Sequence, residues 1–169
     1  GVISVSRWFS QGQASETSRL IALAVAALVD RGAAAPLQHM ALVARGNVAT
    51  LMVSPTPLSA ADLDRVDAAC AARGFTVLAS SRVPAADARL NPILASTSSA
   101  GLELAATDAT FDFQPPTDAR PFFFNMLKPR AWLAGMVSTD GGVIAGNLRA
   151  TGTLVAILAV SLVFIAGAI

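Results

Sequence analysis

The chain has 169 residues, of which 54% are hydrophobic and 14% charged, and its formal net charge is +1. A soluble domain averages about 25% charged residues, so this composition excludes disorder, which needs many charges and few apolar side chains. One cysteine, Cys70, and one histidine, His39, exclude a disulfide scaffold and a zinc site built from several such ligands. The near-neutral charge leaves no electrostatic footprint for nucleic acid.

Val2-Ile3-Ser4-Val5 reads as a strand already in progress at Gly1. With Ile169 inside an apolar run, both ends read as cut, and the expectation is a fragment of a longer parent. Leu20 to Val29, bracketed by Arg19 and Asp30, is too short to span a bilayer and reads as a buried helix. Ser15 is placed to cap it, with Glu16 and Thr17 in the first turn and Gly32 at a left-handed C-terminal cap. Met40 to Val43 and Val48 to Val53 form two strand-like runs around Arg45-Gly46-Asn47, a hairpin signal. Both are nearly continuous in apolar residues, which predicts burial.

Pro55 and Pro57 then break the chain. Ser59-Ala60-Ala61-Asp62 has the spacing of a capping box. Leu63, Val66, Cys70 and Arg73 step along one face of the helix it opens, Gly74 closes it, and Phe75 to Leu78 follows as a strand. Strands alternating with helices predict an α/β layer structure. These strands are too few for a complete doubly wound sheet, so its N-terminal half is expected to lie upstream.

Residues 79–149 read as a loop-rich connector, punctuated by Pro84, Pro92, Pro115, Pro116, Pro121 and Pro129. Ala85 to Leu94 has room for one or two helical turns. Gly152 to Ile169 is uncharged throughout, and residues 150–169 are predicted to begin a transmembrane helix. Lys128, Arg130 and Arg149 precede this run, which predicts that residues 1–149 are cytoplasmic.

Chemistry-bearing residues are sparse, and no catalytic, cofactor-binding or metal-binding residue is assigned. The chain has no phosphate-cradling glycine motif. Asp140-Gly141-Gly142 reads as a turn, His39 as a surface or turn histidine, and Cys70 as a small buried hydrophobe. Asp62, Asp64 and Asp67 read as complements of a helix dipole on a solvated face. The most unusual stretch is Pro115 to Asn125, with Asp118, Arg120, Phe122, Phe123 and Phe124. Three adjacent phenylalanines cannot share one side of a regular element. At least one is expected in a core, a domain interface or the bilayer interface. Asp118 and Arg120 are candidates for an ion pair, buried or exposed.

Ser6-Arg7-Trp8-Phe9 after the first strand, Glu16-Thr17 and Arg19-Leu20 on the first helix, and Pro-Thr-Asp-Ala-Arg-Pro-Phe-Phe-Phe ahead of the apolar run resemble the bacterial spermidine synthase-like proteins. These have a class I S-adenosylmethionine-dependent methyltransferase-like fold, and many are fused to membrane regions. The resemblance implies that residues 1–78 are the C-terminal half of a Rossmann-like domain. It implies an aminopropyl- or methyltransferase that uses S-adenosylmethionine or its decarboxylated form in the full-length parent, with an amine substrate. The cofactor loop, the ribose-binding acid and the catalytic aspartate of that family all precede Gly1, so this fragment alone is expected to be inactive and to hold no cofactor. Ala119 stands where the family usually has a second aspartate, and there is no tyrosine for an amine-binding end. The resemblance also implies the bacterial inner membrane as location and the lipid bilayer as partner. The alternative is a catalytically inactive docking or regulatory module of a transporter-like membrane protein.

Overall fold

A computed structural model describes residues 1–11, 16–107, 110–121, 123–124, 126–133 and 143–168. Strand β1 (Ile3–Trp8) leads to helix α1 (Glu16–Asp30), then to strands β2 (Met40–Arg45) and β3 (Val48–Val53). Helix α2 (Ala60–Arg73) and strand β4 (Thr76–Ser80) complete the sheet region. Short helices α3 (Leu90–Leu94), α4 (Ser99–Ala105) and α5 (Pro129–Leu133) follow, and α6 (Val143–Ala168) is the longest element.

The four strands are ordered β1-β3-β2-β4. β3 is antiparallel to both β1 and β2, and β4 is antiparallel to β2. The fold is thus a mixture of helices and antiparallel sheet. A doubly wound sheet pairs parallel neighbours, and here none of the paired strands is parallel. The cause is the expected hairpin. Arg45 pairs with Val48, so Gly46 and Asn47 alone turn the chain. Gly46 has φ +57, and no described non-glycine residue has positive φ. Positive φ at the first central residue only is the pattern of a type II′ hairpin turn. The turn returns β3 alongside β2, where it separates β2 from β1. β1 and β2, each antiparallel to β3, run parallel to one another and are joined through α1.

Register decides the core. Met40, Leu42 and Ala44 stand opposite Val53, Leu51 and Ala49 on one face of the sheet. Ile21, Val25 and Leu28 of α1 join this face in one apolar cluster. Fully burying such a side chain is worth about 1.5–3 kcal/mol, so α1 is held mainly by this stripe. Ala41 and Val43 point to the opposite face and are buried as well, as are Leu63 and Cys70 of α2, which packs along β4. β2 is buried on both faces, as its continuous apolar run predicts. β3 instead alternates, with Ala49 and Leu51 buried and Thr50 and Met52 partly exposed.

Two helix ends follow the sequence closely. Beyond α1, Gly32 (φ +83) donates to the Val29 carbonyl and Ala33 donates to the Leu28 carbonyl. This is the paired bonding of a Schellman cap. Ser15, expected at the other end, lies outside the described residues. At α2, Ser59 accepts from the Asp62 amide while the Asp62 carboxylate accepts from the Ser59 amide, a complete capping box, and Gly74 (φ +68) ends the helix.

The segment read as a connector supplies part of the same core. Ala85, Leu90, Ile93, Leu94, Leu102, Ala106, Phe113 and Met126 all belong to the apolar cluster of α1 and the sheet, and α3 and α4 pack on α1. α6 differs from every other helix. Leu154, Ile157, Leu158, Val160, Leu162, Val163, Phe164 and Ile165 are all exposed, the last four by 57–77%. Taken over the described residues, no helix is long and apolar enough to cross a membrane. The α6 backbone nevertheless begins at Val143, earlier than the predicted start at residue 150, and continues to Ala168.

The capping box carries a prediction. Ser59→Ala removes one of its two bonds and is expected to lower unfolding free energy by about 1 kcal/mol, read by urea denaturation. The box also holds the Asp62 carboxyl at a pKa of about 2, below its ordinary 3.8, mainly through the bonds from Ser59 and then Arg65. The folded state therefore binds fewer protons than the unfolded chain in this window. The contribution is fully present above pH 3.8 and fades as pH falls through about 2. Asp62→Asn is expected to flatten that acid limb, and an unchanged limb counts against the assignment.

Candidate functional site

The first turn of α1 is polar yet buried: Glu16, Thr17, Ser18 and Arg19 all lie inside. A buried cation is costly unless it is bonded. Arg19, 5% exposed, answers this by reaching across the fold. Its guanidinium donates to the Asp112 carbonyl at 2.6 Å and to the Phe123 carbonyl at 2.7 Å. One side chain thus ties α1 to two points of the proline-rich segment. Burial lowers the Arg19 pKa, the Asp112 carboxylate raises it, and the nearby Arg120 cation lowers it again.

The segment itself is folded by short-range bonds. Thr107 bridges Asp112, and Phe111 bridges Leu127. Thr117 and Arg120 exchange both backbone bonds, which places Asp118 and Ala119 at the tip of a tight turn. Gln114 lies between, its amide donating to the Asp112 carboxylate and its side chain reaching the Thr107 hydroxyl. These pieces enclose a cleft of about 270 Å³ lined by Arg19, Asp112, Gln114, Ala119, Arg120, Lys128 and prolines 115, 116 and 129.

The sequence-predicted residues are distributed as follows. Arg120 lines the cleft, but its ionic partner is Asp112 at 3.8 Å, not Asp118, which sits exposed in the turn. The reason is the turn geometry, which pairs Thr117 with Arg120 and leaves Asp118 at its apex. Phe123 is partly buried against the core, its ring 5.9 Å beneath the Arg7 guanidinium, a cation–π distance. Phe124 is 55% exposed and meets Phe123 edge to face. Phe122 and the Asp140-Gly141-Gly142 turn lie outside the described residues.

His39 is not at the surface. It is buried at the head of β2, and its ring Nδ1 donates to the Ser54 carbonyl at 3.1 Å, closing the open end of the β2–β3 hairpin. An immediate polar partner in the hairpin register was the missing information. Cys70 is buried, and burial followed by Asp67 pushes its thiol pKa up, which suits a packing role. Asp64 and Asp67 do more than face solvent, since both pair with Arg82, which links α2 to the loop after β4. Among the described residues no three His, Cys, Asp or Glu side chains gather as a metal site.

The residues that sequence reasoning missed are Arg19, Asp112 and Lys128. Arg19 bore a weak signal, an arginine opening a helix whose next turn is wholly apolar. Its partners lie 93 and 104 positions away, beyond any local pattern.

A second concavity lies at the C-terminal end of β1, lined by Ser6, Arg7, Trp8, Glu16, Val48 and Phe124. Burial raises the Glu16 carboxyl pKa there, and Arg7 opposes that shift.

No protein-family model matches the chain, and neither a curated protein nor a solved structure does.

The Arg19 clamp predicts a large stability effect. Arg19→Met leaves two carbonyls short of a charged donor and is expected to cost about 2–4 kcal/mol in guanidinium denaturation. Arg19→Lys retains charge without the fork and is expected to recover less than half of that loss. Full recovery by lysine rules out the two-carbonyl geometry as the source.

Proposed function

We propose that this chain is the C-terminal half of a Rossmann-like domain of the spermidine synthase-like kind, carried on a bacterial inner membrane by α6. In its full-length parent the domain transfers an aminopropyl or methyl group from an adenosyl sulfonium donor to a small amine. The observation that carries the reading is the β1–α1–β2 connection. A helix joins two strands that run parallel, which is the building unit of α/β sheets. Two further features support it. β1 exposes Ile3 and Trp8 as well as Arg7, and among the described residues no strand pairs with its edge away from β3. The uncharged stretch of α6, residues 150–168, rises about 28 Å at 1.5 Å per residue, close to the about 30 Å of bilayer hydrocarbon. Its exposed apolar side chains fill consecutive turns on every side, which suits lipid better than water. Lys128 and Arg130 before α6, and Arg149 within its first turns, lie on the N-terminal side of the uncharged run, which supports a cytoplasmic position for residues 1–149.

Among the described residues the positive-φ glycines Gly32, Gly46 and Gly74 serve helix caps and a hairpin, not a strand-to-helix cofactor turn. No chemical step is assigned to this chain, whose part is to support the sheet. One observation favours the second reading, a catalytically inactive docking module. The acids of the fold are largely tied into structural pairs: Asp62 with Arg65, Asp64 and Asp67 with Arg82, Asp87 with Arg89, and Asp112 with Arg120.

Two experiments divide these readings. The chain is expected to float with liposomes and to resist carbonate extraction, and shortening it to remove α6 abolishes both; a freely extracted full chain overturns the anchoring. Calorimetry on the full-length parent tests transfer. Heat with decarboxylated S-adenosylmethionine supports an aminopropyltransferase, and heat with S-adenosylmethionine supports a methyltransferase. Silence of a folded parent toward both leaves the docking module.

A further inference from the structure

The first turn of α1 buries an acid that the fold does not pair. Glu16 is 8% exposed, and among the described residues its carboxylate has no hydrogen-bond or ion-pair partner. The residues outside those described include no lysine, arginine or histidine, so no further cation is there to neutralise it. Burying a carboxylate without a partner costs free energy. The positive end of α1 offsets part of that cost, yet burial still outweighs Arg7 in its effect on the Glu16 pKa. Glu16 borders the concavity of about 490 Å³ at the C-terminal end of β1. Arg7 borders it too, donating to the Ser6 carbonyl at 3.0 Å and lying over the Phe123 ring. Neither contact neutralises its charge, and among the described residues no carboxylate pairs with it. One concavity thus holds a carboxylate and a guanidinium that stand farther apart than an ion pair.

We propose that this concavity binds a small zwitterion, an α-amino acid with an apolar side chain, whose ammonium meets Glu16 and whose carboxylate meets Arg7. A lone cation placed there meets the like charge of Arg7, and a lone anion meets that of Glu16. An α-amino acid answers both at once, because one carbon carries its two opposite charges. The Arg7 guanidinium has donors beyond the one given to Ser6, and its fork matches a carboxylate. The Glu16 carboxylate accepts from an ammonium. Trp8, Val48 and Phe124, all exposed, give the same concavity an apolar wall for the side chain. An apolar lining with a few convergent polar groups is the usual form of a small-molecule site. The site uses described residues only and does not rest on the transferase reading.

The test is calorimetric titration of the full chain, in neutral maltoside detergent at neutral pH, with L-leucine and L-phenylalanine. Binding of at least one is expected, weakened about tenfold or more by Glu16→Gln and by Arg7→Gln. For whichever binds, the matching amine without the carboxylate and the matching acid without the ammonium are expected to bind about tenfold more weakly. Arg7 is exposed, so Arg7→Gln is expected to unfold at the denaturant midpoint of the parent. Glu16→Gln removes an unpaired buried charge and is expected to unfold at the same midpoint or a higher one. These midpoints separate lost binding from lost folding. Absence of binding by both amino acids at millimolar concentration overturns the proposal. So does undiminished binding by the Glu16→Gln/Arg7→Gln double variant. An amine or an acid that binds as tightly as its amino acid also overturns it, since the site then reads a single charge.

Discussion

Ile21, Ala22 and Val25 of α1 are wholly removed from water, and they are so because the sheet touches them on one side and the α3–α4 segment on the other. Neither neighbour covers the helix alone. The register of β2 against β3 lines up Met40, Leu42 and Ala44 with Val53, Leu51 and Ala49 as a single apolar face. A slip of one residue sends that set to the other side of the sheet. The two-residue turn at Gly46-Asn47 fixes the register and hence the surface on which α1 rests. Without that surface, the short helices behind α1 have nothing to pack on, since helices of five or seven residues do not persist by themselves.

Charge is used in two different ways around this core. On the surface, Arg82 reaches Asp64 and Asp67 and also the Ala60 carbonyl, bringing the loop after β4 to the start of α2. Such exposed pairs are worth little singly, and their effect is to orient rather than to hold. Arg19 is the opposite case. Its cation is inside, its bonds go to backbone carbonyls, and removing it strands groups that cannot reach water. Among the described residues the proline-rich segment is paired only by isolated backbone bridges, and this one side chain adds two ties from it to α1.

Legibility followed the range of each interaction. The capping box at Ser59, the terminators Gly32 and Gly74, and the Gly46-Asn47 hairpin depend on residues within a few positions, and all could be read from spacing. The order of strands was less accessible, because a hairpin inserting β3 between β1 and β2 leaves the same element sequence as an open parallel sheet. Residues 79–126 misled for a physical reason. Their buried residues, such as Ile93, Leu102 and Phe113, sit on very short helices and extended turns, where no period develops. The cleft was hidden for the same reason as the clamp, since Arg19 and Lys128 are brought together only by the folded chain. Asp118 and Arg120 were read as partners by proximity, yet a tight turn separates neighbours as effectively as distance does.

Two surfaces remain that the core does not explain, and they differ in what they offer. Among the described residues the outer edge of β1 has no strand partner, and Ile3 and Trp8 are exposed on that strand. α6 offers side chains only, because a helix satisfies its own backbone, and apolar side chains on every side leave no preferred face for a protein partner. The two surfaces differ in kind: one leaves strand backbone at an edge and the other exposes apolar side chains alone, so each is altered by substitution without disturbing the other.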